Sequence, residues 1–364
     1  MAHFTAARNG DVGWETAHAW ASAMTRAPVL AHPDAAGLFH GAPAVSFALH
    51  TAGHPAYATA LARLDAHIAV LVRTRLETAH ARIDTGHQPR LREFDLIRGL
   101  TGLGAYLLHR HEDSGEALLK EVLTYLVRLA EPVKADGGVL PGWWTSDDTS
   151  GRPCPLGGHG NLGLAHGIAG PLALAATATR HGIVVPGQTG MLTRVSSWLD
   201  HWRQGPAEAP WWPQTLSRTE QTQDVVTWHG PGRPSWCYGT PGLVRAQQLA
   251  ALALSDTTAQ RRAEQALAAC LDDEAQLCQL TDASLCHGWA GLLHTARTVA
   301  ADAHPDTQLS ARLTALHQRL GQHLHQNGAP EAAGLLEGTT GIRLTTAEAL
   351  SGTARWDACL LLAG

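Results

Sequence analysis

The chain has 364 residues, 45% hydrophobic and 16% charged, with a formal net charge of -5; it can bury a sizeable core, and without a Lys/Arg cluster it has nothing to neutralise a nucleic-acid backbone. No stretch approaches the roughly 18 uninterrupted apolar residues of a membrane span, and "MAHFTAARNGDVGWETAHAW" is not a secretory signal. Six Cys over such a length make a poor disulfide framework, so a cytoplasmic location is expected, with thiols kept free or metal-bound.

In chain order, two kinds of helix alternate. "GLFHGAPAVSFAL" from Gly37 is small and apolar nearly all round, and an amphipathic stripe follows at Leu61, Leu64, Ile68, Leu71, Val72 and Leu76. "DLIRGLTGLGAYLL" from Asp95 precedes the stripe Leu118, Val122, Leu126 and Leu129. "GLAHGIAGPLALAA" from Gly163 precedes Leu192, Val195, Leu199 and Trp202. "WCYGTPGLVRAQQL" from Trp236 and "LCHGWAGLLHTA" from Leu285 come next, then the stripe Leu309, Leu313, Leu316, Leu320 and Leu324, and finally "LLEGTTGIRLTTAEAL" from Leu335. This is an internal repeat of irregular period, with the second glycine of each pair at or near 41, 102, 170, 242, 291 and 341.

A helix apolar on every face must be surrounded, whereas one with a single stripe lies outside. Alternation predicts an all-α fold, an α/α toroid of inner and outer helices forming a single domain over residues 1–364. An open solenoid is the alternative arrangement. The glycines are expected to allow close entry into the inner ring and backbone angles with positive φ. Two Pro/Gly-rich segments, about 135–162 and 203–236, are expected to be loops lining the rim where the inner helices begin.

At that rim Cys237 and the pair Cys286 and His287 occupy matched turns of adjacent repeats. Two thiolates and one imidazole suit Zn(II) with a fourth position left open, and helix N-termini favour thiolate. The remaining cysteines, Cys154, Cys270, Cys278 and Cys359, have no repeat-equivalent partner and read as core packing.

Over nearly its whole length the chain resembles the LanC-like lanthionine synthetase cyclases, through "FDLIRGLTGLGAYLL", "GHGNLGLAHGIAGPLAL", "RPSWCYGTPG" and "SLCHGWAGLL" in that order. The resemblance implies an α/α toroid, one zinc per chain held by Cys237, Cys286 and His287, and further active-site residues at Asp95, His166, Arg233 and Tyr238. It implies a ribosomal precursor peptide as substrate, its Ser and Thr already dehydrated by a separate enzyme. The reaction would be intramolecular Michael addition of a peptide Cys thiol to dehydroalanine or dehydrobutyrine, closing a thioether ring. His166 would transfer the proton, Asp95 would orient it, Arg233 would steady developing negative charge and Tyr238 would donate a hydrogen bond. Structural readings stand beside these: Asp95 as a cap, His166 as a satisfied core residue, Arg233 as a loop clamp, Tyr238 as rim packing.

Rival readings are weaker. A zinc prenyltransferase needs an Asp ligand and a terpene cyclase spaced aspartates, which "SDDTS" and "LDDEA" lack. A carbohydrate-active toroid would use "GWWTSDD" and "PWWPQ" for sugar stacking and acid/base work, but leaves the two Cys turns unexplained. Addition of glutathione to dehydroamino acids would use the same groups as cyclisation.

Overall fold

The computed structural model describes residues 1–135, 138–347 and 355–363. Six helices carry the glycine-paired segments: Ala42–Ala52, Leu100–His109, Ala169–Arg180, Thr240–Ala253, Trp289–Ala301 and Thr339–Ala347. Each packs against the next in this order, and the N-terminal helix Ala2–Arg8 touches both the first and the last. The ring is therefore closed, and an open solenoid is ruled out. Residues 348–350, the end of the last repeat segment, lie outside the described residues, as do 136 and 137 of the first loop segment.

Burial follows the two sequence types. Every described position of Leu100–Leu108 and of Ala169–Ala178 is buried, whereas the outer helix Ala58–Asp84 buries only the stripe Leu64, Ile68, Leu71, Val72, Leu76 and Ala79. Outer helices Glu116–Leu129, Gln188–His201, Thr257–Asp272 and Leu313–Asn327 repeat that one-sided pattern. Apolar surface removed from water at roughly 25 cal/mol per Å² drives both rings together.

The turns before the inner helices are stitched to one another by backbone bonds. Leu96 N–H donates to Ala165 O (3.0 Å), Ala165 N–H to Cys237 O (3.3 Å), Cys237 N–H to Cys286 O (3.3 Å), and Cys286 N–H to Leu336 O (2.8 Å). Residues dozens of positions apart thus share one rim at fixed spacing.

The second glycine of each pair serves close approach, and positive φ is confined to Gly41 within that set. Gly242 and Gly291 have ordinary helical φ, but a methyl there would lie 2.0 Å from the carbonyl oxygen of Trp236 and of Leu285 respectively. The expected positive φ is met at Gly41 and at the turn glycine Gly239 (φ 147°); at Gly242 and Gly291 the constraint is instead the carbonyl six residues earlier, folded back over the first helical turn. Gly242→Ala gains about 1 kcal/mol of helix propensity yet drives Cβ into backbone. The clash should win, with a net loss of about 1–3 kcal/mol, seen as a lower thermal midpoint; an unchanged or raised midpoint would refute this packing argument.

The two loop segments are tied together. His159–Asn161 pairs antiparallel with Thr215–Ser217, in the register His159 to Ser217 and Asn161 to Thr215. Val133–Ala135 also pairs antiparallel with Gly138–Leu140. Trp143 and Trp144 are 2% and 0% exposed and Trp212 is also buried, so they anchor the loops rather than offer a surface for sugar. Asp147 is buried against Arg90 (2.7 Å), and Asp148 caps its own turn through Ser150 N–H and Arg152 N–H. The acid/base pair of the carbohydrate reading is spent on loop structure.

Candidate metal and proton-transfer site

Aligned on Gly41, Gly99, Gly167, Gly239, Gly288 and Gly338, which open the inner helices, the rim has His40, Arg98, His166, Tyr238, His287 and Glu337 at the preceding position and Cys237 and Cys286 one position earlier. Adjacent stitched turns bring the sulfur atoms of Cys237 and Cys286 and a ring nitrogen of His287 within 4.8 Å of one another. Two soft thiolates and an imidazole at that separation fit Zn(II) in a tetrahedral set with one position left for an exogenous ligand. Hydrogen bonds from the Cys286 thiol and from His287 hold the Cys237 thiol down to about 4, against the opposing effect of burial. The proton shared within the pair raises Cys286 in turn. The Cys237 hydrogen bond also raises His287. Among the described residues no other group of three His, Cys, Asp or Glu side chains is so placed.

The remaining cysteines divide. Cys270 and Cys359 are buried, their thiols pushed up by desolvation, as core residues should be. Cys154 is half-buried. Cys278 is exposed, which corrects its reading as core packing: it follows the short helix Glu274–Leu277, and its thiol turns out toward the Glu274 carboxylate.

Asp95 holds two structures at once. Oδ1 accepts the N–H groups of Arg98 and Gly99, both at 2.7 Å, and so caps the turn that opens the helix Leu100–His109. Oδ2 lies 2.7 Å from His166 Nδ1. A carboxylate only accepts, so Nδ1 carries the proton and Nε2 is the imidazole's free nitrogen. Asp95 is buried while the His166 side chain is 37% exposed. One carboxylate thus touches both the turn N–H groups and the imidazole.

Tyr238 stacks beside His166, ring centroids 6.1 Å apart. Burial pushes its phenol up to about 12. Its oxygen accepts from Asn161 Nδ2 at 3.0 Å; the same amide lies 3.2 Å from His159 Nε2, and His159 Nδ1 lies 2.8 Å from Asp147 O. Only one tautomer satisfies this buried chain: Nδ1–H of His159 donates to the carbonyl, Nε2 accepts from Asn161, and the Tyr238 O–H stays free to donate. Arg233 is half-buried, close enough for its charge to lower Cys286 and to oppose protonation of His287. Burial also keeps His159 in its neutral form.

All seven residues singled out in the sequence therefore belong to one rim. Three were missed. Asn161 and His159 sit within "GHGN", and Asp282 lies 3.3 Å from His287 Nε2; neither contact has a spacing signature. A cleft of about 430 Å³ between Gln188–His201, Thr240–Ala253 and Thr257–Asp272 is lined by Trp212, Arg203, Asp200 and Arg262 but by no thiol or imidazole, so its volume carries no chemistry comparable to the rim.

A family model described as lanthionine synthetase C-like protein matches residues 5–361. The nisin biosynthesis protein NisC of Lactococcus lactis subsp. lactis is 23% identical over 254 residues, a match that covers 68% of this chain and 59% of that protein's length. The solved structure of nisin cyclase superposes with a TM-score of 0.79 at 21% identity, covering 95% of this chain and 84% of that one. The fold is thus that of nisin cyclase, an all-α toroid. With the family model spanning the described ring from end to end, the chain belongs to the lanthionine synthetase C-like family.

Proposed function

We propose that this protein is a lanthipeptide cyclase: zinc-dependent, built as one domain, closing lanthionine and methyllanthionine rings on a precursor peptide dehydrated by a separate enzyme. The observation that carries this reading is the convergence of Cys237, Cys286 and His287 beside an oriented imidazole. Support comes from the family match and from the relative whose printed name is nisin biosynthesis protein. No helix among the described residues is long and apolar enough to cross a membrane, in keeping with a cytoplasmic enzyme.

Cys237, Cys286 and His287 would hold the metal, and bound there Zn(II) would supply Lewis acidity that makes an incoming peptide thiol a thiolate near neutral pH. The chain's own groups do the rest. His166 Nε2, lone pair outward, accepts the proton leaving sulfur. As the S–Cβ bond forms, the alkene π pair moves toward the neighbouring carbonyl and its oxygen gains charge. Arg233 and the Tyr238 O–H stabilise that oxygen. The imidazolium then gives its proton to Cα, which restores His166 and balances the addition without any other reactant. The two loops line the rim, and the Asn161 and His159 contributed by the first keep the Tyr238 phenol aimed.

The test is a dehydrated peptide carrying one Cys, incubated with enzyme and with glutathione present. Cyclisation leaves the mass unchanged and abolishes alkylation by iodoacetamide. A product bearing the mass of glutathione, with the peptide Cys still alkylatable, would replace cyclisation by intermolecular addition.

A further inference from the structure

Two imidazoles of the rim each face a carboxylate, at opposite ring nitrogens. His166 is gripped at Nδ1 by a carboxylate whose other oxygen is fixed by turn N–H groups. His287 faces a carboxylate at the other nitrogen: Asp282 Oδ2 lies 3.3 Å from Nε2, an ion-pair distance, and Asp282 Oδ1 accepts the Ser284 N–H at 2.7 Å. The Asp282 carbonyl also accepts the Trp289 N–H at 3.1 Å. A Cβ at Gly288 would come within 2.4 Å of Asp282 O and Oδ1, so the turn packs directly onto this residue. One carboxylate oxygen and the backbone carbonyl of Asp282 are thus each held by an N–H group of the same turn.

Resting on the zinc reading above, we propose that Asp282 is a positioning residue that fixes the His287 tautomer, so that Nε2–H is donated to Asp282 and Nδ1 presents the lone pair to the metal. A carboxylate can only accept in its ionised form. Its negative charge 3.3 Å from Nε2 favours the proton on that nitrogen and leaves Nδ1 as the donor atom. Partners of this kind orient metal-binding imidazoles and raise their basicity. The pairing explains why two histidines at equivalent ring positions do different work: one exposes Nε2 to the substrate, the other Nδ1 to the two sulfurs.

Asp282→Asn separates this role from a merely structural one. The amide oxygen can keep the Ser284 N–H, while its NH₂ faces Nε2 as a donor and drives the proton to Nδ1, where it blocks coordination. Zinc affinity, measured by competition with a chromogenic chelator on protein alone, should fall about 10–100-fold, with the metal-free helical spectrum and thermal midpoint close to wild type. Affinity within twofold of wild type would overturn the proposal. In the wild type itself, ¹⁵N-histidine NMR of zinc-loaded protein should show His287 protonated at Nε2 and metal-bound at Nδ1; the reverse assignment would overturn it however the variant folds. Wild-type protein that binds no zinc would instead defeat the functional reading from which this one starts.

Discussion

Asp95→Asn should slow ring closure by about 10²–10⁴-fold while leaving zinc content unchanged. The amide oxygen can still accept the Arg98 and Gly99 N–H groups that Oδ1 now takes at 2.7 Å, so the turn should survive. What changes is the other arm. An NH₂ group facing His166 Nδ1 forces the imidazole to accept there and to carry its proton on Nε2, the nitrogen needed to receive the thiol proton. His166→Ala should give a loss of similar size for a simpler reason, and the double variant should be little worse than either single one, because the two residues act as a unit. Unchanged kinetics in His166→Ala would remove that residue from proton transfer, and additive losses would dissolve the pair.

Cys286→Ala should abolish both metal binding and cyclisation. Two sulfurs and one nitrogen leave no spare protein ligand among the described residues, so removing either thiol strips the set to two donors and lets solvent compete. Zinc content should fall from about one per chain to near zero. Cys237→Ala should behave alike. The variants should keep the helical spectrum, because the ring is held by the inner-helix packing and by backbone bonds between turns, among them Cys237 N–H to Cys286 O, which do not use the thiols. If a variant lacking either thiol closed rings at the wild-type rate, the metal would have no part in the chemistry.

Much of this was legible in the residues. The alternation of all-round apolar and single-stripe segments yields a double ring from burial arithmetic alone, and the matched Cys237 and Cys286 turns mark convergence because equivalent turns of a closed ring are neighbours. The glycines were legible as close approach but not in their geometry, since the obstructing carbonyl is set by how the turn folds back on the helix. Trp143 and Trp144 read as a rim feature from composition, but the pairing of His159–Asn161 with Thr215–Ser217, which draws the loops together, has no signature in periodicity. Cys278 misled because it lies just past a four-residue helix, where the direction of the chain rather than periodicity decides whether a thiol meets the core. Asn161 meets Tyr238 by a hydrogen bond from another turn and Asp282 meets His287 across the same one, and only coordinates reveal such contacts.

The proposed site has three side chains from two turns holding one zinc ion. Zinc-edge X-ray absorption on freshly purified, active protein reads that ligand set. It should show about one zinc per chain, with two protein sulfur ligands near 2.3 Å and an imidazole nitrogen at about 2.0–2.1 Å, and loss of one sulfur shell in any residual metal of Cys286→Ala. Fully active protein with no zinc, or with zinc bound only by nitrogen and oxygen, would contradict it.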